Sequence, residues 1–126
     1  MKFWPWLAAE SLLVALAFFV MSALHFGLHL GPLSDQPIPV GAYVEAACGA
    51  ALAIAFVALV AGITWRWPAA VGAHAFAILA VLLGIFATRL GTTELNFAYH
   101  RLILVVLVLG LLALLTRPGR ALGATA

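Results

Sequence analysis

A chain of 126 residues that is 67% hydrophobic and 8% charged lies far from soluble domains, which run near 45–50% apolar and about 25% charged. A domain this small has too much surface for its volume to hide that apolar content from water. The net charge of +2, from six basic and four acidic residues, lacks the clustered basic face that nucleic-acid binding requires. The single cysteine, Cys48, excludes an intrachain disulfide and a cysteine-based metal site.

Four apolar stretches follow one another, each near the ~20 residues that cross a hydrocarbon core. The first is expected over 7–30, closed by Gly31-Pro32. Its apolar run exceeds the ~7–15 residues of a cleavable signal core, so it is read as a retained helix. The second is expected over 40–64, after a loop holding Pro37 and Pro39. The third is expected over 68–90, with Pro68 in the first turn, and the fourth over 96–116, ended by Pro118-Gly119. Lipid leaves open strand edges unsatisfied, so all four are helices. The expected fold is an all-α membrane protein, a four-helix antiparallel transmembrane bundle in one domain covering 1–126.

Charge sets the expected orientation. With both termini in the cytoplasm, Lys2, Arg66, Arg117 and Arg120 lie inside, with Glu10 near that end. Arg89 and Arg101 lie outside with Asp35, Glu45 and Glu94. The basic excess falls on the cytoplasmic side, as it does across cell (inner) membranes. Trp4, Trp6, Trp65 and Trp67 fall at that same boundary as an aromatic belt.

A faint repeat accompanies this plan. His29-Leu30-Gly31 precedes Ala42-Tyr43-Val44-Glu45, and Arg89-Leu90-Gly91 precedes Ala98-Tyr99-His100-Arg101. Two parallel helical-hairpin repeats would produce it, with Glu45 and Arg101 at equivalent outer positions. The alternative is chance similarity.

Polar groups within apolar spans are costly and usually have a reason. Most of those here gather at the outer helix ends: His25, His29, Glu45, Arg89, His100 and Arg101. His25 and His29 are four apart and would share a helix face, with Ser22 continuing it inward. Three chemistries suit the set. His25, His29, His100 and Glu45 would ligate zinc or copper through neutral imidazoles and a carboxylate. His25 or His29 with His100 would hold a haem between two helices. Arg89 and Arg101 would clamp an anionic or lipid-like molecule while Glu45 or a histidine moves protons. The plain structural alternative is a set of interfacial ion pairs and snorkelling side chains. Asp35, between Ser34 and Gln36 beside prolines, reads as a solvated turn residue, and Glu94 as a solvated loop residue. Glu10 is expected to pair with Arg66 or face water. His74, two turns into the third span, is expected to make an interhelical hydrogen bond or serve a proton relay. Ala42, Ala46, Gly49, Ala50 and Ala53 give the second helix a small-residue face for another helix or another subunit.

No GxSxG, GxxxxGK[ST], HExxH or CxxC pattern is present. Three functions remain. One is an accessory or structural subunit of a larger membrane complex, with other membrane subunits or copies of itself as partners. Another is a binding module or enzyme with an outer-face pocket for metal, haem or a lipid-like ligand. The third is a small oligomeric transporter.

Overall fold

The computed structural model describes residues 4–116. It is all-helical, with four helices long and apolar enough to cross a membrane. They are α1 (Trp4–His25), α2 (Pro39–Ala61), α3 (Arg66–Ala87) and α4 (Glu94–Leu115). Arg117, Pro118, Gly119 and Arg120, named in the charge and helix-stop arguments, and Lys2 lie outside the described residues.

The four elements match the four apolar stretches, but their ends differ in an informative way. α1 stops at His25, five residues before the expected Leu30. Gly27 takes a positive φ of 90°. Its N–H bonds Leu24 O at 2.8 Å, and Leu28 N–H bonds Ala23 O at 3.1 Å. These are the two bonds of a Schellman stop, which favours glycine at its left-handed position. Gly62 ends α2 in the same left-handed region, at φ 66°, with its N–H on Ala58 O. Pro39 opens α2 within its first turn, where the missing N–H costs nothing. Thr93 caps α4 by accepting from Asn96 N–H at 3.1 Å, so α4 begins two residues earlier than the apolar run alone suggests.

Each helix packs on the next, and α4 returns to α1. Along α3 and α4 the paired residues run in opposite order. Trp67 Nε1 donates to Leu114 O at 3.0 Å, His74 faces Gly110, and Gly84 faces His100. Along α1 and α2, Phe19 meets Gly49, Ser22 Oγ donates to Ala42 O at 2.7 Å, and His25 meets Glu45.

The core is apolar through the middle. Leu7, Val14 and Phe18 of α1 meet Leu52 and Leu59 of α2, Ala77 and Val81 of α3, and Leu107 and Leu114 of α4. α1 is the most enclosed helix. The small-residue face of α2 is only partly as expected. Ala42 and Gly49 are buried, Ala46 and Ala53 half-buried, and Ala50 exposed. The buried line instead adds Glu45, Cys48, Leu52, Ala55, Ala58 and Leu59. Gly49 lets the Phe19 ring lie close on α2, since a Cβ there would stand 2.9 Å from Phe19 Cε1 and push the ring aside.

A candidate binding cleft with a histidine floor

Two polar clusters lie at opposite ends of the bundle. At one end Glu10 of α1 reaches His74 of α3, with Oε2 to Nε2 at 2.8 Å. His74 Nδ1 lies 2.8 Å from Ala70 O. A carbonyl only accepts, so Nδ1 carries the hydrogen and Nε2 faces the carboxyl. A contact of 2.8 Å between Nε2 and a carboxyl oxygen requires one shared proton, held on the ring or on Glu10. The expected interhelical bond of His74 is therefore present. Its partner is Glu10, which was expected at Arg66 or in water.

At the other end His25 is engaged on both ring nitrogens. Nδ1 lies 2.7 Å from Glu45 Oε2, and Nε2 lies 3.3 Å from Asp35 Oδ2. Asn96 Nδ2 lies 3.5 Å from the same Nε2, a weak contact. Asp35 Oδ1 accepts from Thr93 Oγ1 at 2.8 Å and from Gln36 N–H at 2.8 Å. The loop between α1 and α2 thus folds back over the bundle end. Ile38 N–H also bonds His25 O at 2.9 Å, satisfying the last carbonyl of α1. Asp35 is not the solvated turn residue that its prolines suggest, since its side chain is fully enclosed. Glu94 is exposed, as expected.

The six expected pocket residues separate into three groups. His25 and Glu45 are buried and bonded to each other. His100 is buried nearby, with Nδ1 2.9 Å from Asn96 O. The remaining three point elsewhere. His29 lies beyond the end of α1 and is exposed, because Gly27 stops the helix that would have stacked it on His25. Arg89 and Arg101 each turn back on their own helix. Arg89 donates to Phe86 O at 2.7 Å and lies 3.9 Å from the centre of the Phe86 ring. Arg101 donates to Phe97 O at 3.1 Å and lies 3.3 Å from the centre of the Phe97 ring. These are cation–π contacts within one turn. Arg89 and Arg101 line a separate pocket of about 360 Å³ with Thr88 and Thr92, and neither lines the space at His25 and His100.

The expected metal and haem ligands are not gathered into one set. Among the described residues no three His, Cys, Asp or Glu side chains converge as a metal site. His25 Nδ1 is held by Glu45 at 2.7 Å and its Nε2 faces Asp35 at 3.3 Å, while His29, the other haem candidate on this side, is exposed. The halves of the faint repeat also differ in surroundings. Glu45 is buried against His25 while Arg101 is exposed, and Tyr43 packs on Phe26 while Tyr99 packs on Phe18.

What the end of the bundle does contain is a cleft of about 530 Å³ between α2 and α3. Its walls are apolar: Val40, Val44 and Ala47 on α2, and Phe76, Leu79, Leu83 and Ala87 on α3. Its floor holds Phe18, His25 and Glu45, with His100 from α4 reaching in beside Gly84. His100 Nδ1 must carry the ring hydrogen, because its partner is a carbonyl oxygen. Its Nε2 is left with a lone pair in the cleft, 2.7 Å from where a Cβ on Gly84 would stand. The sequence places Asn96 with Glu94 in the short loop before the fourth span; it is instead buried in the first turns of α4. The His100 ring is held by the backbone carbonyl of residue 96, which any residue there would supply.

No family model, curated protein or solved structure matches this chain.

Proposed function

We propose that this chain is a multi-pass protein of the cell (inner) membrane that holds an amphipathic, lipid-like molecule in the cleft between α2 and α3. The four helices form an antiparallel transmembrane bundle with both termini in the cytoplasm. Support for insertion comes from the exposed surface. Leu13, Leu16, Ile54, Val57, Leu102 and Leu109 all stand free on the outside of the bundle, and a hydrocarbon environment removes the cost of exposing them. The order of Lys2, Arg66, Arg117 and Arg120 along the sequence, beside the span ends assigned to the cytoplasm, supports the orientation.

The observation that carries the binding reading is the cleft itself. Its volume falls within the ~300–1,000 Å³ of small-molecule sites, which are typically apolar with a few placed polar groups. An apolar body would lie between α2 and α3, and a polar head would reach His100 at the floor. A photoactivatable alkyl-chain lipid tests this. Crosslinks concentrated on Val40–Ala47 and Leu79–Ala87 support it, and crosslinks spread evenly over all four helices contradict it.

One observation favours a second reading, an accessory subunit of a larger membrane complex. Ala80, Gly84 and Thr88 line the same cleft at four-residue spacing, which is the small-xxx-small pattern that admits a close helix. A partner's helix would then fill the cleft. Recovery of a stoichiometric membrane partner that is lost in Ala80→Leu would favour it. A transporter is less well supported, because Val14, Phe18, Leu52 and Leu107 fill the core between the two polar ends.

A further inference from the structure

α3 and α4 carry the same device in reverse order. His74 and Gly84 are ten residues apart on α3, and His100 and Gly110 are ten apart on α4. Each histidine sits against the other helix's glycine. A Cβ on Gly110 would lie 2.8 Å from His74 Nε2, and a Cβ on Gly84 would lie 2.7 Å from His100 Nε2. Each ring gives its Nδ1 hydrogen to the carbonyl four residues earlier, Ala70 O or Asn96 O. The two imidazoles are therefore held alike, with Nε2 lodged in a glycine notch.

They differ in what meets Nε2. At His74 it is the carboxyl of Glu10, at 2.8 Å. At His100 none of the described residues partners it, and the notch opens into the α2–α3 cleft. Building on the cleft reading above, we propose that the ligand is a long-chain carboxylic acid whose head group takes, at His100 and Gly84, the place that Glu10 takes at His74 and Gly110. One proton is shared between the ligand carboxyl and His100 Nε2, as one is shared between Glu10 and His74. The hydrocarbon chain lies along the apolar walls. Glu45 stands at the same end, but its Oε2 is taken by His25 at 2.7 Å. Sharing a proton with His100 spares the ligand a bare negative charge beside it.

The test uses the full chain in nanodiscs and three probes: hexadecanoic acid, its methyl ester and hexadecan-1-ol. Calorimetry gives their affinities, and nitrogen NMR of histidine-labelled protein follows the His100 ring. The acid is expected to bind about tenfold more tightly than the ester, the scale of one buried hydrogen bond to a group otherwise left unpaired. The His100 Nε2 resonance should move with the acid and stay with the ester. His100→Phe keeps the ring's bulk and should level the three affinities by weakening the two probes that can donate to Nε2, the acid more than the alcohol, and leaving the ester unchanged. His29→Ala should change nothing. Ala47 is exposed and lines the cleft, so Ala47→Trp should fill it and abolish acid binding in protein that still elutes as a single helical species. Equal binding of all three probes, lost in Ala47→Trp, would keep the cleft and overturn the choice of acid. Binding of none, or binding indifferent to Ala47→Trp, would overturn the cleft reading as well.

Discussion

Glu10 of α1 and His74 of α3 share one proton across 2.8 Å in the interior of an apolar bundle, 64 residues apart in sequence. Removing one member leaves the other buried and unpaired, at a cost of about 1–3 kcal/mol. Glu10→Ala should therefore lower the unfolding midpoint in detergent clearly. Glu10→Gln should lower it less, since an amide N–H still donates to Nε2. The paired change Glu10→Met with His74→Leu should recover much of the loss, because removing both partners leaves no unsatisfied group. Equal losses for Ala and Gln would show that this contact does not hold the helices.

Gly110 lets that pair exist. A methyl group there would lie 2.8 Å from His74 Nε2 and 2.9 Å from Glu10 Oε1. Overpacking of this kind typically costs about 1–3 kcal/mol, so Gly110→Ala should be destabilising. Gly72, on α3, has nothing within 4 Å of its Cβ position. Gly72→Ala should be neutral or mildly stabilising, since alanine is the better helix residue. Thermal unfolding of the two variants side by side checks the contrast.

Thr93 serves two partners. Its oxygen accepts from Asn96 N–H and its hydroxyl donates to Asp35, so it caps α4 and ties down the α1–α2 loop. Loss of a helix cap costs roughly 0.5–2 kcal/mol. Thr93→Ala should show that loss, along with faster proteolysis of the loop around Asp35. Thr93→Ser keeps the hydroxyl and should behave like the parent protein.

Arg89 and Arg101 lie over Phe86 and Phe97 of their own helices. Arg89→Ala and Arg101→Ala should leave binding in the cleft unchanged within about twofold, below the ~1 kcal/mol that a direct hydrogen bond contributes. A tenfold loss in either variant would place that arginine at the ligand.

The helices were legible in the sequence because apolar runs of twenty-odd residues have one structural outcome. Their ends were less so. Gly27 stops α1, but an apolar Phe26-Gly27-Leu28 still looks like continuing helix, and His29 was placed on a face that does not exist. The polar end was legible as a region and misread as a set. Composition locates His25, Glu45, His100, Arg89 and Arg101 at one depth, yet which side of its helix each occupies depends on partners far away in sequence. Asp35 shows this most clearly. Its neighbours dictate a turn, and only the fold-back of that turn onto His25 and Thr93 buries it. The α2–α3 cleft has no sequence signature, since it arises from how far two helices stand apart.

The most direct test of the account is native mass spectrometry of the protein released from its own membranes, alongside Ala47→Trp. The account predicts one bound amphiphile per chain in the parent protein, surviving gentle detergent removal, and none in the variant. A bare parent chain, or the same adduct on both proteins, would contradict it.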